Sequence, residues 1–358
     1  MPEGVRHRQP AAGRTSVDLQ SFEIKNNMEK KRYDFIINPV SGKGREPQAL
    51  KERLEEFIKK DKRDIRIHIT NGAMDAADTA ARIARDARDS GVSAMIYACG
   101  GDGTINEAAN GIAEELLENG SEGPRPALGV VPVGSGNDFV RYFGDVKDFL
   151  DIEKQLDGTP MMADLLRLTW HEGGVERSRF CINGLNIGLD GNTAILAHRM
   201  KELPLVKGSF SYLLALGINT AKLNGASLRI QADGKDFFTG DMLLCTVSNG
   251  RFCGGGVESC PHGRINDGLE ELLLIKKTRR GKLFRFFPDY KMGKLNDRED
   301  FPELGAYAQV KSVTIEPLKG KMEFVVDGEC FSTGRLQVDV VPGILPVIVP
   351  EGTEPPAL

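Results

Sequence analysis

Asp102 is well placed to do chemistry because of its surroundings, Ala98-Cys99-Gly100-Gly101-Asp102-Gly103-Thr104-Ile105-Asn106-Glu107. The apolar run from Ala94 to Ala98 predicts a buried strand leading into this stretch. Gly100, Gly101 and Gly103 let backbone come close to a ligand. Thr104 and Asn106 read as caps of a helix over 107–112. Strand, glycine turn and helix N-terminus together form an anion site, since free N–H groups and the helix dipole both favour phosphate. A carboxylate inside such a turn repels phosphate unless a metal or a moving proton intervenes. The expected chemistry is therefore phosphoryl transfer.

Two further strands end the same way. Phe35-Ile36-Ile37 runs into Asn38-Pro39-Val40-Ser41-Gly42, and Leu128–Val133 runs into Gly134-Ser135-Gly136-Asn137-Asp138, with a helix expected over 139–143. In open α/β sheets ligands sit at the carboxyl ends of the strands, so three such loops converge on a phosphate chain. Asn38, Ser41, Thr104, Asn106, Ser135 and Asn137 supply hydrogen-bonding groups; each alone reads as a cap or turn residue. No loop is a Walker A sequence, and no dinucleotide fingerprint follows a strand.

Two acidic segments lie downstream. In Val325-Val326-Asp327-Gly328-Glu329 an extended chain would point Asp327 and Glu329 to one side. Paired carboxylates there could divide into proton acceptor and partner; without the other motifs an acidic hairpin turn is the simpler reading. Arg264-Ile265-Asn266-Asp267-Gly268-Leu269-Glu270 precedes a strand and reads either as a metal loop or as a plain Asp-Gly turn.

The elements that position these residues change character along the chain. Residues 1–29 lack periodicity and are expected to be a disordered leader, with Met28 a natural start. Helices are predicted over 47–60 and 75–88 and a strand over 65–70, an alternation that implies a parallel, helix-covered sheet. A polar loop is expected over 114–125. After about 161 short strands dominate: 165–169, 179–182, 227–232, 242–248, 269–275, 312–317 and 322–326. Helices there are expected chiefly over 192–202 and 212–223, and the region 183–190 reads as the start of the first. Residues 336–349 are strand-like.

The chain has 358 residues, which suits two domains, and a net charge of −4, which argues against a dedicated nucleic-acid binder. No apolar run approaches a membrane span and no signal-peptide pattern is present. The six cysteines are scattered without Cys-x-x-Cys spacing and read as reduced, cytosolic thiols rather than a zinc site.

Asn38-Pro39…Gly42, Gly100–Thr104, Gly134–Asp138, Asn249–Gly256, Asp267-Gly268-Leu269 and Asp327-Gly328-Glu329 resemble, in order and spacing, the motifs of the diacylglycerol kinase and sphingosine kinase superfamily, in its soluble bacterial lipid kinase branch. The resemblance spans about residues 31–350. It implies an α/β nucleotide-binding domain with a parallel sheet (30–160), a β-sandwich-rich substrate domain (161–335), and a final strand (336–350) packing back on the first domain. It implies ATP bound by Asn38, Pro39, Ser41, Gly42, Thr70, Gly100, Gly101, Asp102, Gly103, Thr104, Asn106, Gly134, Ser135, Asn137 and Asp138. It implies Mg2+ held by Asp267 with carbonyls of Arg264 and Leu269, although Pro261-His262 departs from the Pro-Asp common in relatives. Glu329 is the implied proton acceptor with Asp327 its partner, and Asp102 is the rival base. The implied partner is a lipid met transiently at the inner membrane surface by a cytoplasmic enzyme, with homodimerisation also expected. The Gly-Gly-Asp-Gly-Thr turn alone is shared with NAD kinases, which makes an NAD kinase the enzymatic alternative; a non-catalytic nucleotide- or lipid-binding regulator is the other.

Overall fold

A computed structural model describes residues 30–42, 44–119, 123–189, 225–327 and 329–354. The helices expected over 192–202 and 212–223, the leader 1–29 and Gly328 lie outside the described residues.

The first half alternates strand and helix: β1 (Lys31–Ile37), α1 (Arg45–Ile58), β2 (Asp64–Ile69), α2 (Asp75–Asp89), β3 (Ser93–Gly100), α3 (Asp102–Asn119), β4 (Ala127–Pro132), α4 (Asp138–Arg141) and α5 (Ile152–Leu156). The strands lie in the order β4-β3-β1-β2, all parallel. Their alternating side chains build two cores. Phe35, Ile37, Tyr97, Cys99 and Val131 pack with Leu50 and Leu54 of α1 on one face. Ile36, Ile96, Ala98 and Val130 pack with the alanines of α2 and with Ile105, Ala108 and Ile112 of α3 on the other. The α2–α3 contact is close because α2 is alanine-rich and a Cβ on Gly111 would strike the carbonyl of Ala77.

The second half is mainly strands: β5 (Thr159–Glu172), β6 (Val175–Cys181), β7 (Gly184–Gly188), β8 (Ala226–Ala232), β9 (Lys235–Ser248), β10 (Glu270–Lys276), then α6 (Arg280–Lys291) and α7 (Phe301–Leu304), then β11 (Gly305–Val310), β12 (Ser312–Pro317), β13 (Met322–Val326), β14 (Glu329–Thr333) and β15 (Leu336–Val349). Leu168, Leu185, Ile230, Val247, Leu274, Ile315, Phe324 and Val338 fill their shared interior. Strand pairing is continuous through both halves, in the order β14-β13-β7-β9-β8-β12-β15-β4-β3-β1-β2. The long strand β15 makes that join. It pairs with β5 along its length, breaks register between Val341 and Leu345, and meets β4 in parallel at Val347 and Leu128.

Four expectations need correction. The helix after the glycine turn begins at Asp102, so Thr104 and Asn106 lie inside it and are not caps; it also runs to Asn119, through the first half of the expected loop. Residues 184–188 form strand β7, paired with β9 and β13, because alternating Leu185 and Ile187 face the sandwich interior. Helices α6 and α7 and strand β11 were not foreseen. The pairing of Val326 with Glu329 reverses the chain between them, so Asp327 and Glu329 do not share one side of an extended strand.

Candidate active site

All four parallel strands of the first half end at one edge, and the three glycine-rich loops meet there. Asn38 N donates to Cys99 O, Thr70 N to Ile37 O and Val133 N to Gly100 O, so the loops leave the sheet in register. Gly101 and Gly134 stack backbone on backbone: a Cβ on Gly134 would collide with the Cα of Gly101, while a Cβ on Gly101 would rest 3.5 Å from Gly134. Gly42 adopts φ +59, where a Cβ would press on Val133 O. Ser41, Ser135 and Asn137 lie at least partly open, and Asn137 keeps a buried Oδ1 without a hydrogen-bond partner among the described residues. Thr70 is buried beside Ile37. Val40, Ile69 and Met74 expose apolar side chains next to these loops.

Other residues assigned to the nucleotide by sequence have internal partners. Asn38 Nδ2 donates to Thr104 Oγ1 (2.9 Å). Asn106 Oδ1 accepts from Ile182 N (3.1 Å), and Asn110 one turn later exchanges hydrogen bonds with the backbone of Phe180. These amides fasten α3 to the end of β6. Asp102 Oδ2 and Oδ1 accept from Asn137 N and Asp138 N at 2.9 and 2.8 Å, so it holds the neighbouring loop at the start of α4. Burial pushes its carboxyl up to about 6, the charge of Asp138 adds to this, and the loop amides oppose it. Asp138 in turn accepts from Gly255 N and Gly256 N, with distances of 2.7–3.1 Å. Its carboxylate thus straps the first half to the Asn249–Gly256 loop, a role its position in the Gly-Ser-Gly-Asn-Asp sequence did not reveal. Arg251, in the same loop, pairs with Glu258 at 2.6 Å.

The second acidic turn sits on the first. Asp327 has φ +43, a left-handed conformation that Asp tolerates in tight turns. Its carbonyl lies 3.6 Å from where a Cβ on Gly103 would be. Its carboxyl accepts from Cys181 Sγ at 3.2 Å. Burial pushes it up to about 7; the Cys181 contact, the Gly184 amide and Arg179 oppose this, and the charge of Asp102 adds to it. Glu329 lies beyond the turn with a half-exposed side chain, gripped by Arg179 through two 2.6 Å bonds. Arg179 also lies over the ring of Phe331. Glu107, raised by burial, accepts from Ala76 N at the start of α2 and feels both Glu329 and Arg179. Sequence reasoning missed Arg179, whose partner is 150 residues away.

The loop 264–269 is closed by another unforeseen acid. Asp164 accepts from Gly268 N (2.7 Å) and Gly343 N (2.6 Å), at the register break of β15. Asp267 is exposed, with Oδ1 accepting from Leu269 N at 3.0 Å, and Asn266 keeps a buried Oδ1 without a partner among the described residues. Among the described residues no three His, Cys, Asp or Glu side chains cluster for a metal.

A model of the diacylglycerol kinase catalytic domain matches residues 32–168, and one of the YegS C-terminal NAD kinase beta sandwich-like domain matches residues 185–349. The diacylglycerol kinase of Bacillus subtilis (strain 168) is 30% identical over 308 residues, 84% of this chain and 90% of that protein. This chain belongs to the diacylglycerol kinase family. It is a family member of the bacterial kind, and an enzyme of kinase type. A protein named "Probable lipid kinase YegS" from Salmonella schwarzengrund (strain CVM19633) is 29% identical, over 86% of this chain and 93% of its own. A crystal structure of a diacylglycerol kinase from Bacillus anthracis str. Sterne superposes with a TM-score of 0.62 at 20% identity, covering 91% of this chain and 99% of that one. The fold is therefore the family's: an α/β domain with a parallel sheet, then a β-sandwich-type domain. No helix among the described residues is long and apolar enough to cross a membrane.

Proposed function

We propose that this family member transfers the γ-phosphoryl group of ATP to the hydroxyl of a diacylglycerol-like lipid, with the nucleotide on the first half and the lipid on the second. The observation that carries the reading is the seating of the Asp327 turn on the N-terminus of α3, beside Gly103. It puts candidate proton acceptors next to the loops suited to phosphate. Free amides of the glycine loops and the α3 dipole would hold the phosphates, and Asn137 Oδ1 has a lone pair to offer. Val40, Ile69 and Met74 offer an apolar surface to the base.

Of the three acids, Glu329 alone combines an open side chain with freedom from backbone and thiol contacts. We assign it the hydroxyl proton. Arg179 grips its carboxylate and must share it when the lipid arrives. Asp327 orients the turn, and Asp102 fixes the phosphate loop. The oxygen-only set of the Asp267 carboxylate with carbonyls of Arg264 and Leu269 fits Mg2+, with Asn266 Oδ1 available nearby in sequence. Mg2+ arriving with ATP would supply charge neutralisation at the phosphates. The enzyme would work from the cytoplasm at the inner membrane surface.

ATP consumption measured against a panel of lipid alcohols, with mass detection of products, tests the reading. A phosphorylated lipid is the expected product. Phosphorylation of NAD instead, or turnover indifferent to lipid, would overturn it.

A further inference from the structure

Between Lys276 and Lys294 the chain carries eight Lys or Arg residues against one acid, Asp289, in a protein whose net charge is −4. Helix α6 occupies the middle of this segment. Its Leu283, Phe286 and Tyr290 are buried with Leu189, Leu243, Leu273 and Ile275, at the spacing of one helix face. The opposite face reads Arg280, Phe284, Arg285, Pro288 and Lys291, followed by Met292, and all six are exposed. Phe284 is 65% exposed and Met292 51%. Lys277 pairs with Asp241 and Lys282 with Glu303. Arg279, Arg285, Lys291 and Lys294 make no ion pair among the described residues.

A helix with one face locked into the protein and the other presenting an aromatic ring and a thioether among cations suits the boundary of an anionic bilayer. The apolar side chains enter the acyl layer while the cations meet headgroup phosphates. A polyanion in water would use the charges and leave Phe284 and Met292 without a role. The inner face of α6 shares its hydrophobic cluster with Leu189, the residue after β7, and β7 pairs through Leu185 with Val326, the residue before Asp327.

We propose that the exposed face of α6, with the basic segment leading into it, docks this protein on anionic lipid bilayers. The proposal rests on the lipid-kinase reading for its purpose, but its test does not. Vesicles of phosphatidylcholine, with and without phosphatidylglycerol and without diacylglycerol or ATP, are sedimented with the full chain. The parent is expected on the anionic vesicles only. Each cation removed near the surface weakens such binding about fivefold, so reversing two charges, Arg285→Glu with Lys291→Glu, should weaken it more than about tenfold. Phe284→Ser should weaken it about tenfold through lost apolar burial. All these side chains are exposed, and melting temperatures check that the fold is kept.

As a second measurement, Phe284→Trp adds one indole to a chain whose only other tryptophan, Trp170, is buried. Its emission should be quenched by brominated lipids. Binding that ignores lipid charge overturns the proposal. So does loss of binding on charge reversal while Phe284→Ser binds like the parent and Phe284→Trp is not quenched, the result for a nucleic acid or other soluble polyanion. Phosphorylation of a water-soluble short-chain diacylglycerol should be unchanged in the variants. If the parent phosphorylates no lipid at all, the kinase reading fails while the vesicle results still decide the docking.

Discussion

The two acidic turns at this site use their carboxylates differently. Asp102 and Asp138 spend every oxygen on backbone amides: Asp102 on Asn137 and Asp138, and Asp138 on Gly255 and Gly256. Asp327 is held by the Cys181 thiol and the Gly184 amide, whereas Glu329 is held by the Arg179 side chain. A carboxylate locked onto several amides builds a loop and gives up little freedom. One held by a single side chain can change partner when substrate arrives. In the proposed reaction the first turn is thus mainly architecture, and Glu329 in the second is the acid able to change partner and take a proton.

The largest effect that would sharpen this contrast is on turnover. Glu329→Gln keeps size but cannot accept the proton, and a positioned base is worth about 10²–10⁴-fold. A rate loss of that order with unchanged ATP affinity by calorimetry is expected. If instead Asp102→Asn alone lost rate while Glu329→Gln kept it, the roles of the two turns would be reversed.

Next in size comes the Asp138 strap. Asp138→Ala strands two amides of the second half, and hydrogen bonds to a charged group are worth about 1.5–3 kcal/mol each. A drop of several degrees in melting temperature is expected, recovered in part by Asp138→Asn. An unchanged melting temperature would remove the architectural reading.

The stacked glycines give a smaller, divided effect. Gly134→Ala must push against the Cα of Gly101 and should lower the melting temperature, whereas Gly101→Ala meets only ordinary contact. Gly101→Ala should therefore fold like the parent but bind ATP more weakly, because its Cβ would enter the proposed phosphate approach. Equal losses of stability in both variants would contradict the stacking.

The smallest effect is a pH slope. The folded Asp327 carboxyl titrates near 7 and the unfolded one near the ordinary ~3.9. Between these values the folded state holds the extra proton, so this group's contribution to stability falls as pH rises through that window. Asp327→Asn, which tolerates the left-handed turn, should flatten that part of the melting-temperature profile between about pH 5 and 7. An identical profile would place the Asp327 carboxyl in water.

Much of the first half was legible because each strand is a short apolar run ended by glycine, and a parallel sheet must deliver such ends to one edge. The start of α3 was misjudged because Gly103 reads as a turn residue, although the helix already begins at Asp102. Asp164 was hidden inside the apolar run of β5, where nothing local hints that its carboxyl closes a loop 104 residues later. Arg179 sits in an alternating strand and reads as a solvated charge. Helix α6 was obscured by its dense cations and by Pro288. Local pattern reports the period of an element, while these partners are chosen by the tertiary fold.

The join made by β15 has a consequence in time. Strand β4 keeps one edge unpaired until residues near Val347 arrive. About 215 residues separate the two in the sequence, so on a ribosome adding roughly 5–20 residues per second the wait is on the order of 10–40 s. The first half therefore completes its sheet only after nearly all of the other half has been made. The two halves mature together, and a nascent chain halted before β15 would expose a raw strand edge open to pairing with other chains.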